Sequence, residues 1–95
     1  MPYLKAKDAT RLKASLPTPT SAGELNYCIA QLTMNYLGVL AVVDYSALNA
    51  AIGALESAKL EIYRRLVAPY ENGKIRENGD CFQEFIRKHN IPTLL

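Results

Sequence analysis

The chain has 95 residues, which is enough for one domain and too few for two. Domains of this size bury little apolar surface and usually depend on disulfides, a metal or a partner subunit. Two cysteines, Cys28 and Cys81, and a single histidine, His89, exclude a disulfide-rich scaffold and a zinc-finger type of site. We therefore predict free thiols, no metal, no cofactor, a cytoplasmic location and stabilisation by a partner subunit.

Charge is unevenly distributed, although the formal net charge is only +2. Residues 1–20 form a basic arm with four basic side chains, Lys5, Lys7, Arg11 and Lys13, and one acidic side chain, Asp8. The arm is either solvated or in contact with phosphate groups, and the sequence leaves both interpretations open. Duplex DNA is disfavoured as a partner, because acids alternate with bases in the rest of the chain.

The first predicted element is a short helix within the basic arm, followed by an extended linker at Pro17 and Pro19, which cannot continue a helix. A second helix is predicted to begin at Ser21 with a capping box. In this motif the Ser21 hydroxyl accepts from the Glu24 amide, and the Glu24 carboxylate accepts from the Ser21 amide. Gly38 is the predicted C-terminal cap of this helix.

Residues 25–43 contain no charged side chain, and this stretch of 19 positions is long enough to cross a bilayer. Polar side chains interrupt it at Asn26, Gln31, Thr33 and Asn35, and in lipid each would need a hydrogen-bonding partner. A buried helix followed by an apolar connector is therefore favoured over a membrane span. Residues 39–43 are predicted to be a tightly packed connector or the last turn of this helix.

A third helix is predicted from a cap at Asp44 or Ser46 to about Ala68, where Pro69 stops or kinks it. Its large apolar residues share one arc, which we predict to be the core face: Leu48, Ile52, Leu55, Ile62 and Leu66. Its small residues share a separate arc, which we predict to be an oligomer interface: Ala47, Ala50, Ala51, Ala54 and Ala58. An internal contact of this alanine face is the alternative.

Residues 70–80 are predicted to form a turn-rich loop, because Asn-Gly pairs at Asn72 and Asn78 are typical of turns. Asp80 with Gln83 resembles another helix start, so a short helix is predicted over 81–90. The predicted fold is all-α, with a single domain over 1–95 that is expected to be oligomeric. It comprises an antiparallel helical hairpin over 21–69 flanked by two short helices.

Catalytic signatures such as a Gly-rich phosphate loop, metal-ligand spacing or a nucleophile elbow do not occur in the sequence, so we predict no enzymatic activity. Arginine and tyrosine side chains near Pro69 are typical of phosphate binding and base stacking. The predicted ligand-binding residues are Tyr27, Arg64, Arg65, Tyr70, Lys74, Arg76 and Asn78. The alternative is helix stabilisation, in which Arg65 pairs with Glu61 one turn earlier.

Three runs of sequence occur together: GELNY over 23–27, LESAKLEIYRRLVAPYE over 55–71 and KIRENGD over 74–80. They resemble a family of short, uncharacterised bacteriophage and prophage proteins with the pattern GELNY … LE…K.E.YRR…PYE..KI.ENGD. The resemblance covers residues 21–80, and Cys81-Phe82 stands where family members often have Val-Tyr. It implies a cytoplasmic protein of an infected or lysogenic bacterial host, and it implies no particular activity.

The size and helical architecture are also similar to those of phage anti-CBASS sponges, which sequester nucleotide messengers, although fold-level analogy is weak support for function. The leading prediction is a non-catalytic, homo-oligomeric phage protein that sequesters a small phosphate-bearing ligand, such as a cyclic nucleotide immune messenger, between subunits. The alternative is a helical interaction or regulatory protein of phage origin. A third option is a weak nucleic-acid binder that uses the basic arm.

Overall fold

The computed structural model describes residues 2–92, which form helices and connections without any β-strand, so the fold is all-α as predicted. The helices are α1 (Ala6–Lys13), α2 (Ala22–Gly38), α3 (Tyr45–Ile62), a π-helical segment (Tyr63–Val67), α4 (Ala68–Asn78) and α5 (Gln83–Lys88). Among the residues described, no helix combines the length and the apolar character needed to cross a membrane.

The chain divides into two compact units between Glu61 and Ile62. The single domain over 1–95 stays a prediction. The first unit contains α1, α2 and nearly all of α3, and thus both long helices of the predicted hairpin. The second unit contains the π-helical segment, α4 and α5.

The beginning of α2 confirms one half of the predicted capping box and corrects the other. The Glu24 amide donates to the Ser21 hydroxyl at 3.1 Å, as expected. The Glu24 carboxylate, however, accepts from Thr20, from its backbone N–H at 2.9 Å and its hydroxyl at 2.8 Å. These two hydrogen bonds, the backbone one foremost, lower the pKa of Glu24 because they favour its ionised form.

The connection from α2 to α3 identifies the residue that caps α3 and differs from two other predictions. Asp44, and not Ser46, caps α3, because the Ala47 amide donates to the Asp44 carboxylate at 2.9 Å. Gly38 is the last residue of α2 and is not a left-handed cap, since the capping residue is Val39 in ordinary right-handed conformation. Val39 is 82% exposed, so the connector is not the tightly packed segment that its apolar sequence predicts.

The largest difference from the prediction follows Val67, where the helical backbone does not stop and residues 70–78 are helix instead of loop. Proline lacks an N–H and clashes with the carbonyl four residues earlier, so an α-helix cannot pass it unchanged. Here the π-helical segment comes first, with the Ala68 N–H bonded to the Tyr63 carbonyl five residues back. Pro69 then lies in the first turn of α4, where a missing N–H costs no hydrogen bond.

The two Asn-Gly pairs have different structural roles, although the sequence predicts a turn at each. Asn72-Gly73 lies inside α4, so the prediction of a turn there is wrong. Asn78-Gly79 does end α4: Gly79 has φ +90° and ψ 162°, and its N–H donates to the Ile75 carbonyl at 2.8 Å. The Asp80 carboxylate then accepts from the Phe82 amide at 2.9 Å and shapes the turn that precedes α5.

Burial on α3 is centred on the alanine face. Ala51 is 5% exposed and is the one buried residue among those described, while Ala47 and Ala58 on the same side are half-buried. The exposed fraction rises to 36% at Leu55, 46% at Leu48 and 63% at Ile52. These three lie about 40°, 60° and 100° around the helix from Ala51.

The alanine face is therefore the most buried side of α3, although the sequence predicts the core on the other face. Ala51 is buried, and on the same face only Ala50 and Ala54 are exposed. The arc with Leu48 and Ile52, predicted to be the core face, is exposed. The oligomer interface on the alanine face stays a prediction.

Candidate functional site

The predicted ligand-binding residues are distributed over both units. Tyr27 lies on α2 in the first unit, where with Pro17 and Cys28 it lines two shallow clefts of about 320 and 330 Å³. The other six residues belong to the second unit: Arg64 and Arg65 in the π-helical segment, and Tyr70, Lys74, Arg76 and Asn78 on α4. Six of the seven predicted ligand-binding residues therefore belong to the second unit.

The second unit contains a cleft of about 450 Å³ along α4 and the turn that follows it, which we call the α4 cleft. Its lining residues are Tyr63, Ala68, Glu71, Asn72, Lys74, Ile75, Asn78, Gly79, Asp80, Cys81 and Phe82. Its volume is within the range of small-molecule sites. Of the predicted ligand-binding residues, Lys74 and Asn78 line this cleft, and the three arginines and Tyr70 do not.

Lys74 is held by two neighbours on its own helix. Its Nζ lies 3.2 Å from the Glu77 carboxylate and 5.6 Å from the centroid of the Tyr70 ring. These partners are three residues later and four residues earlier, the spacings that place side chains on one helix face. Tyr70 and Lys74 are thus brought together as predicted, although the positive charge of Lys74 is already balanced by Glu77.

The charge of the α4 cleft does not favour a phosphate group. Two carboxylates, Glu71 and Asp80, are among its lining residues, and Lys74 is the one cation among them.

Two lining residues of the α4 cleft, Asp80 and Phe82, are absent from the predicted ligand-binding residues. The Asn78-Gly79 pair in the sequence could have indicated them, because a turn at that pair brings the following residues back towards the end of α4.

Arg65 and Arg76 are exposed and lie outside the lining of the α4 cleft. Within residues 2–92 neither has a carboxylate partner, so the pairing of Arg65 with Glu61 that would explain it as a helix-stabilising residue is not formed. Two exposed guanidinium groups remain available for an anion on the surface of the second unit.

The cysteines do not form a reactive site with other groups. Both are free thiols, with Cys28 half-buried and Cys81 exposed in the wall of the α4 cleft. His89, the residue after α5, contacts Phe85 with the ring centroids 4.4 Å apart and the ring planes tilted by 41°. In the part of the chain that the structure describes, no group of three or more His, Cys, Asp or Glu side chains could hold a metal ion.

Comparison with known proteins places the chain in a family without describing an activity. No curated protein and no solved structure matches it. One family model, described as a domain of unknown function (DUF6899), matches residues 1–81 and therefore covers α1 to α4 and most of the α4 cleft. Because this match includes most of the sequence, the chain belongs to the DUF6899 family of domains of unknown function.

Proposed function

We propose that the chain functions as a non-enzymatic helical interaction protein, assembled from more than one copy of itself. The observation that supports this proposal is the amount of apolar surface left exposed. Among residues 2–92 only Ala51 is buried, while large apolar side chains along every helix-forming part of the chain are exposed. A standard protein interface buries roughly 800 Å² on each partner, and exposed side chains of this kind are what such an interface covers.

The exposed residues are of the kind that interfaces bury. Large aliphatic and aromatic side chains are exposed on α2, α3 and the π-helical segment, and examples are Leu32, Ile52 and Leu66. Apolar surface of this extent in a small protein marks a site of association, because covering it is the main favourable term in assembly. Packing against further helices is the simplest cover for exposed helix faces.

The test of this proposal is the mass of the full chain under native conditions. We expect native mass spectrometry and light scattering to give a defined multiple of 10.5 kDa that persists to low micromolar concentration. The assembly is also expected to melt at a higher temperature as protein concentration rises, because association stabilises the folded subunit by mass action. A folded monomer at every concentration would contradict the proposal.

A second candidate function is the capture of a small phosphate-bearing ligand, such as a cyclic nucleotide. The observation that favours it is the pair of exposed arginines, Arg65 and Arg76, that lack carboxylate partners among residues 2–92. Since the α4 cleft carries two carboxylates, the phosphate would lie outside it, on Arg65. A second subunit would then complete the site, and a tyrosine such as Tyr70 would stack on the base.

Replacing Arg65 by glutamate tests this ligand site. If a panel of cyclic nucleotides gives a bound mass with the native chain, Arg65→Glu should weaken that binding at least about tenfold, because a charged hydrogen bond is lost. Arg87→Glu, which makes the same charge change at an exposed site on α5, should bind as the native chain does. Equal affinity of Arg65→Glu and the native chain, or no bound mass from any member of the panel, would remove this candidate.

A further inference from the structure

The exposed arc of α3 has the spacing of a coiled-coil seam. Its positions alternate between three and four residues apart, which is the a and d pattern of the heptad repeat. The positions are Tyr45, Leu48, Ile52, Leu55, Lys59 and Ile62, and we call them the α3 seam. All six are exposed in the structure. Over the 18 residues of α3, about 27 Å, the seam follows one side of the helix.

The α3 seam is not the most buried side of α3. The most buried side is centred on Ala51, with Ala47 and Ala58 half-buried, and exposure increases from there towards Ile52. The helix therefore has two apolar sides, of which the alanine side is the more buried and the seam is the more exposed. A helix with a single apolar side needs one partner, whereas α3 has a second apolar side to cover.

We propose that α3 pairs along this seam with α3 of a second copy of the chain, forming a two-stranded helical dimer. The inference rests on the proposed function and names its interface. Isoleucine at an a position (Ile52) with leucine at two of the three d positions (Leu48 and Leu55, the third being Ile62) favours two strands over three or four. A single stripe that repeats on each copy is self-complementary, as an interface with two-fold symmetry requires.

The available area agrees with a second copy as the partner. A stable dimer buries about 800 Å² on each subunit. Pairing of α3 with α3 supplies part of this area, and exposed apolar side chains on α2 in the same unit, such as Leu25 and Leu32, are available for the rest.

Lys59 is the one charged position in the seam, and its surroundings make it compatible with pairing. Its Nζ lies 3.3 Å from the carboxylate of Glu56, one turn earlier on the same helix, so its charge is balanced locally. The long aliphatic stem can cover apolar surface while the ammonium group stays in water. A lone lysine at an a position fixes register and strand number at a cost in stability. Removing it should therefore strengthen the dimer.

The experiment compares two seam variants with matched variants at Ser57, an exposed residue on the opposite side of α3. In sedimentation equilibrium of the full chain, Ile52→Asp should raise the dimer dissociation constant at least about a hundredfold, because both copies lose a buried isoleucine. Lys59→Leu should lower that constant at least about tenfold. Ser57→Asp and Ser57→Leu introduce the same two side chains off the seam and should leave it within about threefold of the native value.

The outcomes separate this inference from the proposed function. If the native chain assembles and Ile52→Asp assembles equally well, the seam is not the interface, although the chain is still an association protein. A native chain that is monomeric overturns both. Circular dichroism reports whether each variant keeps its helices. If Ile52→Asp loses its helices, the dissociation constant of the Lys59→Leu dimer is the test. A constant equal to or higher than the native value overturns the proposed interface, and a lower one supports it.

Discussion

Replacing Ala51 by leucine is expected to lower the free energy of unfolding by about 1–3 kcal/mol. Ala51 is only 5% exposed and is the most enclosed residue of the first unit that the structure describes. A leucine there adds three carbon atoms at a position that is almost completely buried, so the atoms around it must move. In a small protein whose total stability is about 5–15 kcal/mol, this is a substantial fraction.

Urea unfolding followed by circular dichroism measures this effect, at one fixed protein concentration because association contributes to stability. The matched control is Ala50→Leu, the same substitution at the adjacent, exposed position of α3. It should change the free energy of unfolding by no more than about 0.5 kcal/mol. If both variants were equally stable, the alanine side of α3 would not be the covered side, and the assignment of its two faces would have to be exchanged.

Gly73, inside α4, and Gly79, the residue that follows its end, are expected to respond to alanine in opposite directions. Gly79→Ala should cost about 1–3 kcal/mol, since φ +90° with ψ 162° is a conformation that is essentially restricted to glycine. Gly73→Ala should gain up to about 1 kcal/mol, because Gly73 lies inside the helix, where alanine is the better residue. The added Cβ would lie 3.8 Å from the Arg76 guanidinium, an ordinary contact.

Thermal unfolding of the two variants beside the native chain gives the sign of each change. A shift of a few degrees is expected for each, upwards for Gly73→Ala and downwards for Gly79→Ala. A destabilised Gly73→Ala variant would mean that residues 72 and 73 form a turn, as their Asn-Gly sequence alone predicts, and that α4 is interrupted there. A native-like Gly79→Ala variant would contradict the left-handed end of α4.

Helix beginnings were predictable because their signals are local. Ser21 and Asp44 each accept from a backbone N–H three residues later, and short polar residues before an apolar run specify this arrangement directly. The partner of the Glu24 carboxylate is Thr20, one residue before the predicted Ser21, because both the backbone N–H and the hydroxyl of Thr20 donate to the same carboxylate oxygen.

Continuation of the helix through Pro69 was not predictable from the same rules. A proline inside a helical pattern normally marks an end, and Asn-Gly normally marks a turn. The π-helical segment at Tyr63–Val67 places Pro69 in the first turn of α4, where proline is tolerated. No single residue type specifies a π-helical turn, so the sequence does not predict this segment. With helix on both sides, Asn72 and Gly73 then remain helical despite low propensity.

Periodicity identified both apolar faces of α3 and could not decide which of them the chain itself covers. That choice depends on the tertiary arrangement, in which Ala51 is buried and Ile52 is exposed. In the candidate site, Lys74 and Asn78 lie one turn apart on α4 and line the same cleft. The arginines, chosen for their phosphate-binding chemistry, lie outside the α4 cleft, because chemistry predicts what a side chain can bind and not where the backbone places it.

The position of Gly79 has a consequence for variation within the family. The family model ends at Cys81, so the side of the α4 cleft formed by Lys74 and Asn78 belongs to the shared domain, while Phe82 lies beyond it. Two members with identical helices up to this glycine could therefore differ in the shape and polarity of the cleft through the residues after position 81 alone. Ten of the eleven residues that line the cleft then belong to the shared domain, and Phe82 is the lining position at which members can diverge.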